Sequence, residues 1–137
     1  MRPEEIEPQL ADLSRYIRYL ADQMKLRDWS FDVEFDPELD RSLATVECTP
    51  NRRHAVLAVG PLFFESSDSD QRHGAVHELV HCHLQPARTF FSTLARPHGK
   101  THQVLKRNHD NHLDSATDDL AAAIAAALPT LHQFLNL

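Results

Sequence analysis

Two histidines and an adjacent glutamate are the residues whose types and spacing best fit a chemical role. His77 and His81 are four residues apart, and Glu78 directly follows the first of them. On a helix, residues four apart project from the same face, so the two imidazoles can converge on one zinc ion. Glu78 then lies about 100° around the helix, where its carboxylate can take a proton from water at the metal. The spacing predicts a zinc-dependent hydrolase with one metal ion.

Two histidines leave a catalytic zinc site one ligand short, because such sites normally use three protein ligands and a water molecule. The metzincin pattern is excluded, since residues 84–97 contain neither the histidine nor the glycine that it requires. We therefore expect the third ligand from a later helix. Asp114 is the first choice because it lies at the edge of that helix's apolar stripe, and Asp118, His109 and His112 are the alternatives.

The first part of the chain contains one helical pattern and three strand patterns. Apolar residues recur every three or four positions over about 4–26, which predicts an amphipathic helix. Apolar and polar residues then alternate over about 28–36, which predicts a strand with one buried face. Two further strands are predicted at about 43–49 and 54–60, and the short turn between them indicates a hairpin or meander.

The second part of the chain is predicted to be mainly helical. The histidine motif lies in a predicted helix at about 69–85, which Pro86 should end. A last, alanine-rich helix is predicted at about 113–128, with Pro129 as its stop. The order of these elements predicts an α+β fold, in which helices pack on one face of a small sheet of at least three strands.

Length and composition are those of an ordinary globular protein. The chain has 137 residues, of which 42% are hydrophobic and 25% charged, and we expect one domain over 1–137. No stretch approaches the roughly 18 apolar residues that a membrane span needs, and the first residues lack a signal-peptide core. Cys48 and Cys82 are too few for a disulfide framework, and a thiol inside the metal motif agrees with a reducing, cytoplasmic location.

The charges are distributed unevenly along the chain. The net charge is -6, yet no acidic residue lies between Glu78 and Asp110, and five basic residues do. The histidine-rich segment 86–112 therefore fits a lid or an anionic-ligand patch, although we favour a solvated surface because its charges are sparse. Nucleic acid is a less favoured partner than a peptide or protein substrate. The segment also offers donors for the oxyanion of a hydrolytic reaction: Arg96, His98, His102 and His109.

Four segments share features with one protein family. They are the leucine and tryptophan before the alternating strand (26–33), the apolar strand at 55–59, the histidine motif at 77–81, and an acid followed by threonine and leucine-alanine at 114–121. In this combination, over about 26–128, the chain resembles the minimal zincin-type metallopeptidases. These include phage-encoded predicted metallopeptidases and the SprT-like and ImmA/IrrE-like groups.

The resemblance implies a zincin-like fold and a peptidase that cleaves peptide bonds, with Glu78 as the base. It implies that an acid on the last helix completes the metal site. That acid is Asp114 here, where family members usually have glutamate. It also implies that the strand before the motif helix, here 55–59, pairs with an extended peptide.

Two other interpretations of the motif remain open. In deformylase-like hydrolases an upstream cysteine completes the metal site, which would be Cys48, although its alternation with apolar neighbours is more typical of a packed core thiol. The other is a zinc-binding interaction domain without catalysis, although a structural site needs no base such as Glu78. His73 and His83 flank the motif, and we expect them to be exposed or hydrogen-bonded rather than bound to metal.

Overall fold

The fold, given by a computed structural model, is α+β, which confirms the predicted class. The structure describes residues 2–95 and 100–137, without the side chains of residues 3, 50, 88–95, 100–103, 105, 106 and 109. Within these residues there are five α-helices, three strands and one short 3₁₀ turn. In chain order they are α1 (Pro3–Gln23), β1 (Ser30–Phe35), β2 (Ala44–Thr49), the 3₁₀ turn (Pro50–Arg52), β3 (His54–Val59), α2 (Pro61–Glu65), α3 (Asp68–Ala95), α4 (Lys100–Ala125) and α5 (Leu131–Leu135).

The three strands form one mixed sheet in the order β1-β3-β2. β2 and β3 make the predicted antiparallel hairpin, in which Val46 lies opposite Leu57. β1 runs parallel to β3, and Val33 lies opposite the same Leu57. Two-fold alternation indicates a strand but not its direction, so the parallel pairing was not predictable from the local pattern.

The expectation that strand 55–59 pairs with a substrate peptide is wrong. β3 is the central strand, and its two edges are occupied by β1 and β2. Its backbone donors and acceptors therefore already have partners. Among the described strands, the edges open to an added strand belong to β1 and β2.

The core lies between one face of the sheet and the helices α1 and α3. On β3 every second side chain is almost fully buried, as alternation requires of a strand with one face covered. The helices supply mainly aliphatic side chains, and each fully buried one stabilises the fold by about 2 kcal/mol. The fully buried core residues of the two helices include Leu13, Tyr16, Ile17, Leu20, Val76 and Leu79.

The first helix ends three residues earlier than its apolar pattern predicts. Lys25 takes a left-handed conformation with φ of 65°. The backbone N–H of Leu26 then bonds back to the carbonyl of Ala21 at 2.8 Å. This is the Schellman arrangement, in which the chain turns and carbonyls at the helix end gain partners. Leu26, at 2% exposure, is buried outside the helix, which explains why it extended the apolar stripe.

The prediction that Pro86 ends the motif helix is also wrong. α3 continues through Pro86 to Ala95, and α4 begins at Lys100 instead of about residue 113. Most of the predicted 86–112 segment is therefore helical rather than a connecting lid. A proline inside a helix costs about 3 kcal/mol, and the long contact between α3 and α4 offsets that cost, since tertiary packing contributes most of a helix's stability.

The chain after α4 packs back onto α1. α4 ends at Ala125 rather than about 128, and α5 begins after Thr130, whose side chain accepts a hydrogen bond from the Gln133 N–H. The Tyr16 hydroxyl, on α1, donates to the Pro129 carbonyl at 2.7 Å. Among the described residues no helix combines the length and the apolar character needed to cross a membrane.

Candidate metal centre

The histidine motif lies in the middle of α3 with its two imidazoles facing each other. The Nε2 atoms of His77 and His81 are 3.1 Å apart. Tetrahedral zinc with bonds of about 2.0 Å needs its nitrogen ligands about 3.3 Å apart, so the pair fits such an ion with little movement. Glu78 adds a carboxylate oxygen within 4.8 Å of a ring nitrogen of each histidine. The three side chains thus form one of two metal-ligand clusters among the described residues.

Glu78 is a buried carboxyl group, with 9% of its surface exposed. Burial, together with a smaller contribution from the nearby Cys48, raises the pKa of Glu78 to about 8, and a hydrogen bond from the Val46 backbone N–H opposes this change. Val46 belongs to β2, so this interaction lies between α3 and β2. A cation bound nearby would lower the Glu78 pKa again, because an opposite charge favours the ionised form.

Asp118 on α4 contacts the other nitrogen of His77. Its Oδ1 is 2.9 Å from His77 Nδ1 and 3.8 Å from His73 Nε2. These three residues form the second cluster, in which His73 is partly exposed and lies beside Asp118. A carboxylate on Nδ1 fixes the proton there and leaves Nε2 free to bind metal, as outer partners of metal-binding histidines commonly do.

Asp114 lies in neither cluster, although it was the first choice as third ligand. α3 and α4 run antiparallel, since Arg72 bonds to the Leu128 carbonyl while His77, further along α3, meets the earlier Asp118. Moving one turn along α3 from His77 to His81 therefore corresponds to moving one turn back along α4 from Asp118 to Asp114. That register places Asp114 on the turn opposite His81.

The remaining predicted residues divide into two groups. Cys48 and His112 are described but lie in neither cluster. Arg96 and His98 lie outside the described residues, as do the side chains of His102 and His109. His73 lies four residues before His77 on the same helix face, which is why it reaches Asp118 as well.

A cavity of about 240 Å³ opens onto the two candidate clusters. One side is formed by the start of β2 and the residues before it, and the other by α3. Gly74 lies on this side of α3, where the absence of a side chain leaves room beside Leu43. The lining residues include Ser42, Leu43, Ala44, His73, Gly74, His77, Glu78 and Asp118.

Cys82 lies one helical turn after Glu78 on α3, and Cys48 on β2 is next to it. Their Sγ atoms are 3.4 Å apart, and Cys82 is 2% exposed. A hydrogen bond from Cys82 lowers the pKa of Cys48, while the same contact and burial raise that of Cys82. Cys48 is therefore in contact with the other thiol rather than with the histidine pair, an arrangement that gives no support to a deformylase-like ligand.

Comparison with protein-family models, curated proteins and solved structures finds no match for this chain. The family resemblance therefore rests on the short motifs described above. The functional argument depends on the geometry of this site.

Proposed function

We propose that this protein is a zinc-dependent hydrolase of the metallopeptidase type. The observation that carries the proposal is the pair of Nε2 atoms 3.1 Å apart on α3, beside the buried carboxyl group of Glu78. A site that only stabilises a fold needs no acid–base group next to its ligands. Glu78 is such a group, so the arrangement favours hydrolysis over a structural role.

His77 and His81 are the two nitrogen ligands in this proposal. Asp118 is a positioning residue, since it holds the Nδ1 proton of His77 and thereby directs Nε2 toward the ion. Asp114, on the turn of α4 opposite His81, is the proposed third ligand. The antiparallel register supports this assignment, in which the two aspartates have different roles.

Bound zinc would supply Lewis-acid polarisation to a water molecule and to the scissile carbonyl. Glu78 accepts the proton of the attacking water and later donates it to the leaving amine. The Val46 N–H beside Glu78 favours the ionised carboxylate, which is the form that acts as a base. Because Glu78 is almost excluded from bulk water, its interactions with reacting groups are stronger than they would be at the surface.

The free edge of β2 is the proposed binding site for an extended peptide. The Gly60 N–H donates a hydrogen bond to the Leu43 carbonyl. In an antiparallel ladder every second residue bonds to the neighbouring strand, so the residues between them turn their backbone groups to the free edge. On β2 these residues are Ala44, Val46 and Cys48. The Val46 N–H is directed toward Glu78. Ala44 lines the cavity at the candidate metal centre. A peptide paired with β2 near Ala44 would pass the metal centre, which supports a peptide as substrate.

The proposal is tested with Glu78→Gln, which keeps the size of the side chain and removes its basicity. We expect the zinc-loaded wild type to hydrolyse a denatured protein mixture, and the variant to bind zinc with at least about a hundredfold lower activity. The matched control is Glu47→Gln, because Glu47 is an exposed glutamate on the opposite face of β2. Equal inactivity of wild type and variant, with zinc bound in both, would favour the non-catalytic interaction domain.

A further inference from the structure

The two cysteines of the chain are adjacent in space although distant in sequence. Cys48 belongs to β2 and Cys82 to α3, and their Sγ atoms are 3.4 Å apart. A disulfide bond is about 2.05 Å long, so the sulfurs need to approach by about 1.4 Å, which is within the range of side-chain rotation. Neither cysteine belongs to the metal-ligand clusters found among the described residues. The pair is therefore available for chemistry of its own.

Small reagents can reach the pair from the surface. Cys48 is half-buried, so its sulfur is the more accessible of the two. Cys82 is buried, but it lines a cavity of about 420 Å³ together with Lys25, Arg53 and His83. Asp28 lines the same cavity and pairs with Arg53 at 2.8 Å, so the opening carries charges of both signs and does not select the charge of the reagent.

We propose that Cys48 and Cys82 are a redox pair that closes into a disulfide between β2 and α3 on reaction with a small disulfide such as oxidised glutathione. Cys48 attacks the small disulfide, which forms a mixed disulfide and releases one small thiol. Cys82 then attacks the Cys48 sulfur and displaces the second small thiol. The protein loses two electrons and two protons, and both end on the two released thiols.

The position of the pair links this modification to the candidate metal centre without depending on its function. The new bond would lie one helical turn from Glu78, whose carboxylate already joins α3 to β2 through the Val46 N–H. Both connections are between the same two elements. Disulfide formation itself is a property of the thiols, so it can be measured whether or not the protein hydrolyses peptides.

The experiment compares the native chain with the same chain in guanidinium chloride, both equilibrated over a series of glutathione redox ratios. Free thiols are counted and intact masses measured. We expect the native monomer to lose both thiols together, with the mass of two hydrogen atoms and no retained glutathione. Because the fold holds the sulfurs in contact, half-oxidation should occur at a ratio of oxidised to reduced glutathione at least about tenfold lower than in the unfolded chain.

Single-cysteine variants are the matched controls. Cys48→Ser and Cys82→Ser each keep one thiol, so they can form only a stable glutathione adduct. A lasting adduct on the wild type, or disulfide-linked dimers in place of a closed monomer, would overturn the proposal. So would a native pair that is harder to oxidise than the unfolded chain, and this comparison needs no variant to fold.

Discussion

His77 is the residue on which the two clusters of the candidate site converge. Its Nε2 faces His81, and its Nδ1 contacts Asp118 on the neighbouring helix. An imidazole has one nitrogen for each purpose, so the same ring can bind a metal and be held by a carboxylate. The histidine motif predicted the first contact, whereas the second required the structure, because residues 77 and 118 meet only when α3 and α4 pack together.

Asp118→Asn and Asp114→Asn should separate a positioning residue from a ligand. We expect Asp118→Asn to lower zinc affinity about 10- to 100-fold, because it weakens the partner that fixes the His77 tautomer. Asp114→Asn should lower it more, since it removes a charged ligand. Affinities are measured by competition with a chromogenic chelator, with the exposed Asp119→Asn as control. A full zinc complement in the Asp114 variant would exclude that residue as a ligand, and a larger loss in the Asp118 variant would make Asp118 the ligand instead.

At the scale of elements, the sequence predicted what depends on local periodicity. The alternation at Trp29–Phe35 predicted β1, and the stripe from Ile6 predicted α1, because each pattern has the period of its element. Pro86 was misleading, since a proline's local cost does not reveal how much packing opposes it. The place of β3 between β1 and β2 depends on pairings that span the chain, which no short pattern contains.

Alanine substitutions at Gly60 and Gly74 should change stability in opposite directions, because a side chain has no room at Gly60 and has room at Gly74. A Cβ at Gly60 would lie 2.4 Å from the Leu39 carbonyl oxygen, so Gly60→Ala should lower the free energy of unfolding by at least about 2 kcal/mol. A Cβ at Gly74, in α3, would meet Leu43 at 3.4 Å, which is ordinary contact. Gly74→Ala should raise stability by up to about 1 kcal/mol, because alanine is the better helix former. Urea unfolding measures both, and equal changes would contradict this difference in packing.

Tyr16 makes the contact between α1 and the chain after α4 sensitive to alkaline pH. Burial raises the pKa of Tyr16 above its ordinary value of 10.0. Folding therefore favours the protonated hydroxyl, and its contribution to stability is complete below pH 10 and is lost as the pH rises above that. In denaturant titrations from about pH 8 to 11, Tyr16→Phe should remove part of the decline seen in the wild type. Tyr19→Phe, on the same helix, is the control and should keep that decline.

At the scale of the whole molecule, acidic residues outnumber basic ones. The chain carries 20 acidic and 14 basic residues, and the sheet face opposite the helices presents exposed Asp32, Glu34 and Glu47. A negative field of this kind attracts cations and repels nucleic-acid backbones.

Metal binding should stabilise the whole fold, since the proposed ligands come from two helices that pack together. Free zinc at about a hundred times its dissociation constant should raise the free energy of unfolding by about 2.7 kcal/mol. Glu78→Gln should keep this increase and His77→Ala should lose it, as measured by denaturation with zinc and with excess chelator. An unchanged stability of the wild type on adding zinc, at concentrations that saturate a chelator of similar affinity, would contradict a site made by the folded state.

The central position of β3 also determines when this sheet can form. Among the described strands, β1 and β2 come earlier in the chain and each pairs with β3 alone, which extends from His54 to Val59. During synthesis the first two strands therefore remain without a partner in the sheet until the third has emerged. A chain stopped before His54 would contain an intact α1 sequence and two strand sequences but neither of the two ladders. Neither ladder of the sheet can therefore form before β3 has been made.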